Sequence, residues 1–363
     1  MSDRISFIVK PVSADCNLKC KYCYNSSLWC NNYHQEKMSL EVVKSFIYQV
    51  SLLDIKNVSF IWHGGEPLLA GLSFYEKVYD LQSLYLSKKR FSNSFQSNGT
   101  LINQDWALFS KSRHFSFGIS IDGPEDIHDL NRVFVGGRGT FERVMNGIRI
   151  LRENKIEPGI VSVITKDSIH RARDIFNFFV QNNLRKINFS PCAEKWGEEL
   201  DGFSLSPREW ASFMIEIFDE WIKKDDPSVK IQLLESLFQG LIGGKPTLCS
   251  CTKDCSQYIA VDSNGDLYLC GRFLGISEFR LGNLMQQSIK ELFRSGVYST
   301  FVEKTSAVRE ECEKCPWEST CNGGCTYYRY MNGSIDNPYY FCSSTKRLLS
   351  HMKEKISMLE EAD

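Results

Sequence analysis

Cys16-Asn17-Leu18-Lys19-Cys20-Lys21-Tyr22-Cys23 places three cysteines at C-x-x-x-C-x-x-C spacing, directly after an apolar run from Ile5 to Val12. Iron–sulfur clusters are held by cysteine thiolates, normally four to a cubane. Three thiolates this close in sequence can hold three iron corners and leave the fourth without a protein ligand. An open coordination position separates a reactive centre from a structural one, as it does among zinc sites. Three legs of a zinc site is the competing reading of the same residues.

Outward from that loop, the chain alternates between apolar strand-like runs and segments with helical spacing. Ile5-Ser6-Phe7-Ile8-Val9 reads as a buried strand ahead of the cysteines. Ser39 is placed to cap a helix through Leu53, with Val42, Val43, Phe46, Ile47 and Val50 at helical spacing. Val58–Trp62 is a second strand, and strands follow at Arg90–Gln96, Phe115–Ile121, Gly159–Thr165 and Lys186–Ser190. The segments between them have helical patterning, and residues 206–242 read as helical, with Trp210, Phe213, Met214, Ile217, Phe218 and Trp221 on one face. Six strand–helix repeats argue for parallel strands joined by right-handed crossovers, as a barrel or a doubly wound sheet. The unusual motifs all follow strands, which favours a β/α barrel with its site at the strand C-termini. Gly243-Gly244-Lys245-Pro246 breaks the pattern and marks a domain boundary, and Ser343–Glu361 reads as a closing helix.

The composition excludes several classes of function. The chain has 363 residues, 42% hydrophobic and 24% charged, with a net charge of −1. No basic tract points to nucleic acid or an anionic membrane, and no apolar run approaches a membrane span. The first residues lack the apolar stretch of a secretory signal, so a cytoplasmic location is expected. Fourteen cysteines are then the anomaly. In a reducing compartment such numbers point to metal ligands before disulfides. They fall into two groups, Cys16 to Cys30 and Cys249 to Cys342, with Cys192 between.

The cysteine triad and Gly64-Gly65-Glu66-Pro67, after the second strand, resemble the defining motifs of radical S-adenosylmethionine (SAM) enzymes. In that family the open iron binds SAM, and one electron cleaves it to a 5′-deoxyadenosyl radical that abstracts hydrogen from a substrate. The resemblance implies a partial (β/α)6 TIM-type barrel. It also implies SAM contacts from Tyr22, Gly64, Gly65, Glu66, Ser120, Asp122 and Arg132, with Gln96-Ser97-Asn98 as further polar candidates. Arg132 suits the SAM carboxylate because its guanidinium can pair bidentately.

The distal array also has a counterpart. Cys255, then Gly265-x-x-x-x-Cys270, then Cys312, Cys315, Cys321, Cys325 and Cys342 resemble the SPASM domain of radical SAM enzymes that modify peptides and proteins. That domain carries two auxiliary [4Fe–4S] clusters. The resemblance assigns Cys249, Cys255, Cys270 and Cys325 to one, and Cys312, Cys315, Cys321 and Cys342 to the other. Three clusters and SAM are therefore the implied cofactors, with Cys30, Cys192 and Cys251 left over. Cys251 stands as an alternative to Cys249. Zinc remains the competing reading, since C-x-x-C pairs are ordinary zinc-ribbon spacing. The implied division is 1–242 for the barrel, 243–345 for the SPASM domain and 346–363 for the closing helix.

Length and loops such as His128-Asp129-Leu130-Asn131-Arg132 look similar to anaerobic sulfatase-maturing enzymes, which oxidise Cys or Ser of a client protein to formylglycine. Those enzymes place an Asp after the GxxxxC cysteine to take the substrate's proton. Here that position is Gly271, followed by Arg272, a candidate partner for an acidic substrate group. Glycine cannot act as a base. On that ground the sequence favours a maturase that cross-links a ribosomally made peptide. Formylglycine formation is the alternative, and a non-enzymatic zinc-binding interaction protein a distant third. The expected partners are a precursor peptide or protein client and a reductant such as flavodoxin or ferredoxin, with no nucleic acid and no membrane.

Overall fold

The computed structural model describes residues 3–25, 36–196 and 199–360. Cys30 and the polar stretch around it lie outside the described residues. The strands are β1 (Arg4–Val9), β2 (Asn57–Trp62), β3 (Arg90–Ser97), β4 (Phe115–Ser120), β5 (Gly159–Ile164), β6 (Lys186–Pro191), the short β7 (Lys230–Ile231), β8 (Tyr258–Val261), β9 (Asp266–Leu269) and β10 (Arg280–Asn283). The main helices are α1 (Leu40–Ser51), α2 (Leu72–Tyr85), α3 (Gln104–Arg113), α4 (Glu125–Asn131), α5 (Phe141–Glu153), α6 (Ala172–Gln181), α7 (Pro207–Lys224), α8 (Gln232–Leu241) and α9 (Cys342–Glu360). This is a mixed α/β architecture on a parallel sheet, with the first six strands where the sequence puts them.

Two compact units divide the chain. The first comprises residues 1–120, 132–158 and 255–303. Within it β1, β2, β3 and β4 pair in parallel in that order. On the other side of β1 lies β8, also parallel, with Phe7 opposite Ile259. It continues antiparallel into β9 and β10, three strands the sequence reading left unassigned. The core is aromatic: Phe7, Phe46, Phe60, Trp62, Tyr75 and Phe95 are all essentially out of water. Tyr75 packs edge-on against Trp62 at 5.3 Å and Phe95 at 4.8 Å. Each such side chain contributes roughly 1.5–3 kcal/mol of transfer free energy. The polar atoms enclosed with them are satisfied, since Trp62 Nε1 donates to Asn93 Oδ1 at 2.9 Å and Asn93 also pairs with Gln82. Ser39 caps α1 as its position predicts, accepting from Val42 N.

The second unit comprises residues 121–131, 159–254 and 304–363. In it β5 and β6 pair in parallel and β7 joins β6. The apolar stripe of α7 is buried as expected, and Trp210 lies 6.3 Å from Phe341 just ahead of α9. Residues 206–242 are helical as read, in two helices. Asp225 adopts the left-handed conformation (φ 47°) and ends α7, and Pro227 follows two residues later. Proline cannot continue a helix past such a cap. Trp221 then turns its indole N–H to Val229 O at 2.8 Å across the break.

Candidate active site and cluster sites

In the first unit the C-terminal ends of β1, β2 and β3 hold the cysteine loop. Val12–Asp15 leaves β1 and packs on the turn after β2: Gly65 N donates to Ser13 O at 2.9 Å and Glu66 N to Asp15 O at 2.8 Å. This contact explains the glycine pair. A Cβ on Gly65 would stand 1.8 Å from Asp15 O, and one on Gly64 (φ +116°) 2.4 Å from Ser13 O. The close approach these glycines permit is to the chain itself, at the segment that delivers Cys16.

Glu66 closes the same junction. Its Oε1 accepts from Leu68 N and the Ser97 hydroxyl, and its Oε2 accepts from Asn98 N at 2.7 Å. Three of about four acceptor positions on a carboxylate are thereby used, which leaves one for a ligand. Burial raises this carboxyl to about 7, against the pull of those three donors.

Asn98, at the end of β3, is the residue that reaches the cysteines. Its Nδ2 donates to Asn17 Oδ1 at 2.9 Å and lies 3.7 Å from Cys16 Sγ, to which Leu18 N also donates. Thr100 accepts from Asn17 and donates to Asn98, which completes a small polar ring. Hydrogen bonds to sulfur tune the potential of a cluster held there. The sequence offered Asn98 only as a general polar contact, and its distance from Cys16 along the chain hid the pairing.

The segment after Arg132 folds over the loop: Lys19 N donates to Val133 O, and Leu18 bridges to Phe134. Arg132, almost buried, sets its guanidinium 5.4 Å from the Tyr22 ring centroid. Ser120, at the end of β4, accepts from Gln96 Nε2 at 3.2 Å. Asp122 belongs to the second unit, where its Oδ1 accepts from Val163 N at 3.0 Å and its backbone N–H donates to His128 Nδ1.

Lys10 is the residue sequence reasoning missed. It follows β1 and is fully buried, with Nζ 3.4 Å from Asn25 Oδ1; Asn25 donates in turn to Gly64 O. A lone lysine after an apolar run gives no sequence signal of its burial. Desolvation pulls its ammonium down to about 8, opposed chiefly by Asp262. Lys10 is therefore charged at neutral pH.

Burial also holds the thiols protonated: Cys16 is pushed far up, and Cys23 to about 11. Ligand thiols must lose these protons when metal binds. In the second unit Cys312, Cys315, Cys321 and Cys342 all line one cavity, with Tyr339, Trp317 and Lys346. Thiols round a cavity wall suit a cluster with several iron corners. Among the described residues no three Cys, His, Asp or Glu converge on a point that could hold a single metal ion. Cys255 and Cys270 lie in the first unit, and Cys249 and Cys325 in the second. Cys251 is buried and Cys249 exposed. Among the described residues no helix is long and apolar enough to cross a membrane.

Two family models match this chain. Residues 11–178 match the model of the radical SAM superfamily, and residues 251–316 that of the SPASM iron–sulfur cluster-binding domain. The chain is 31% identical to the serine-type anaerobic sulfatase-maturating enzyme of Bacteroides thetaiotaomicron, across 98% of this chain and 91% of that protein. It is 33% identical to the cysteine-type enzyme of Clostridium perfringens, across 96% of each. A solved structure described as native anSMEcpe with bound AdoMet and Cp18Cys peptide superposes with a TM-score of 0.86 at 30% identity, over 99% of this chain and 100% of that one. These relatives overturn the preference for a peptide cross-linking maturase. That preference rested on one position, Gly271, and end-to-end kinship outweighs a single substitution.

Proposed function

The chain belongs to the anaerobic sulfatase-maturating enzymes of the radical SAM superfamily, and from that premise we propose that it oxidises a Cys or Ser residue of a sulfatase-type client to formylglycine. The observation that carries this reading is kinship at 31–33% identity over nearly the whole chain, through both cysteine groups. It is a radical SAM enzyme, and iron–sulfur clusters and SAM are its cofactors.

The finer assignments belong to the same proposal. Cys16, Cys20 and Cys23 would hold the cluster that binds SAM. Cys312, Cys315, Cys321 and Cys342 would hold one auxiliary cluster, and Cys249, Cys255, Cys270 and Cys325 the other. The functional division would be 1–242, 243–345 and 346–363. When bound, the first cluster supplies the electron that cleaves SAM, and the auxiliary clusters supply electron transfer. The chain's own residues do the rest. Asn98 and Leu18 N–H fix and polarise Cys16. Glu66 holds the turn after β2 to the end of β3 and keeps one acceptor position for the SAM ammonium. Tyr22 and Arg132 form a stacked pair that would face the adenine and the SAM carboxylate. The client would be a sulfatase segment, the reductant a flavodoxin or ferredoxin, and the setting the cytoplasm.

The test is direct. The chain, reconstituted anaerobically with iron and sulfide, is given SAM, a reductant and a peptide carrying a sulfatase target sequence. An aldehyde at the target residue, formed together with 5′-deoxyadenosine, supports the proposal. SAM cleavage without any aldehyde contradicts it.

A further inference from the structure

The loop Cys321-Asn322-Gly323-Gly324-Cys325, in the second unit, joins a cysteine assigned to one auxiliary cluster to a cysteine assigned to the other. Asn322, Gly323 and Gly324 carry three successive positive φ angles, 52°, 76° and 71°. Chains seldom run such residues together, because only glycine enters that region freely. The side chain of Asn322 ties one end down, donating from Nδ2 to Cys251 O at 2.8 Å.

Arg329 holds the rest of the loop. It lies in the short helix Thr326–Tyr330 that follows and is 2% exposed. Its guanidinium donates to all three carbonyls: Nε to Gly323 O at 2.9 Å, and Nη2 to Gly324 O at 3.3 Å and to Asn322 O at 3.4 Å. The fit is tight, since a Cβ on Gly323 would stand 2.6 Å from Nη2. Gly323 also lines the cavity shared by Cys312, Cys315, Cys321 and Cys342, so Arg329 stands behind that wall, across Gly323. The other guanidinium near Gly323 is that of Arg309, which donates to Glu311 Oε1 at 2.8 Å. A carboxylate meets the Arg309 charge. Carbonyl oxygens solvate the Arg329 charge without cancelling it, and arginine does not deprotonate in a protein.

A cluster held by four thiolates is a net anion and gains a further negative charge on reduction. Its potential depends on net charge and hydrogen bonding around it. Resting on the cluster assignment proposed above, we propose that Arg329 is a positioning residue of the auxiliary site: its fork fixes the Cys321–Cys325 loop, and its charge favours the reduced form of the cluster held by Cys312, Cys315, Cys321 and Cys342. Substitution separates the two roles. Lysine keeps the charge and gives up the planar fork, whereas glutamine gives up the charge.

The experiment uses the full chain, reconstituted anaerobically with iron and sulfide, as parent, Arg329→Lys and Arg329→Gln. Iron content and midpoint potentials from redox titration with EPR are measured, and added SAM marks the signal of the first cluster, whose open iron it binds. Arg329→Gln should make an auxiliary cluster about tenfold harder to reduce at a fixed potential, the scale of one nearby charge, which is ~59 mV for a one-electron couple. Arg329→Lys should return most of that shift, yet lose iron to a chelator faster than the parent, because one ammonium does not span three carbonyls. A purely structural role would move both variants alike. Should Arg329→Gln take up no auxiliary iron, Arg329→Lys should still hold it, at a potential near that of the parent. Equal auxiliary potentials in the parent and Arg329→Gln, or an equal loss of auxiliary iron in both variants, would overturn the inference. A parent chain that holds iron for a single cluster, ~4 atoms, removes the cluster assignment itself and this inference with it.

Discussion

Replacing Gly65 by Ala tests why the turn after β2 carries glycine. The added methyl carbon would stand 1.8 Å from Asp15 O, 2.4 Å from Asp15 C and 2.7 Å from Ala14 C. All three are backbone atoms, so no side chain can swing away, and Val12–Asp15 must move. Moving it breaks the hydrogen bonds Gly65 N to Ser13 O and Glu66 N to Asp15 O. Two such bonds contribute ~1 kcal/mol each, and overpacking costs ~1–3 kcal/mol more, so the loss should total about 3–5 kcal/mol. The displaced segment leads directly into Cys16, so iron bound at the first cysteine group should fall as well. Gly71 supplies the control. Its φ is positive (+82°), unlike that of Gly65, and an added Cβ there meets no atom within 4 Å. Gly71→Ala should cost only the penalty of its extended, positive-φ backbone (ψ 155°), ~1–3 kcal/mol. Anaerobic urea unfolding with iron analysis compares the two variants. If Gly65→Ala keeps its iron and is no less stable than Gly71→Ala, contact with Ser13–Asp15 is not what demands the glycine.

Three further outcomes follow from the same geometry. Asn98→Ala removes a donor to Cys16 Sγ and should lower the midpoint potential of the cluster there, read by redox titration with EPR, while iron content stays near that of the parent. Cys312→Ala or Cys342→Ala, in the cavity of the second unit, should each remove one cluster's worth of iron, ~4 atoms per chain, without abolishing SAM binding. The Glu66 carboxyl, raised from 4.5 to about 7 by burial, binds a proton in the native state that the unfolded chain has lost. Its contribution to stability therefore declines as pH rises from about 4.5 to about 7, by about 3 kcal/mol across the window, and Glu66→Gln should flatten that part of the stability–pH curve.

Much of this molecule was legible in its sequence because the relevant signals are local. The cysteine spacings, Gly64-Gly65-Glu66 and the six strand–helix repeats each lie within a few residues, and the strands appear within a residue or two of their expected bounds. The contacts that long loops bring together were not legible. Asn98 meets Cys16 from 82 residues away, and Lys10 becomes a buried cation only because Val261, Asn25 and Gly64 close round it. The pairing of β8 with β1 joins segments about 250 residues apart, so residues 255–303 sit with the N-terminal sheet. Helical patterning was legible over 206–242, but the break at Asp225 was not, because the named apolar stripe ends at Trp221 and says nothing of where the helix stops. The reaction was misjudged for a different reason. Gly271 was weighed as the loss of one base, and kinship over nearly the whole chain outweighs that single position.

The central claim, that this radical SAM enzyme matures a sulfatase-type target, is tested most directly by mass spectrometry of a Cys-containing sulfatase peptide after anaerobic incubation with the reconstituted chain, SAM and a reductant. The account predicts loss of the cysteine sulfur and an aldehyde that a hydrazide reagent captures, in step with 5′-deoxyadenosine. A product that retains its sulfur and has lost only a pair of hydrogens, as a cross-link would, contradicts it.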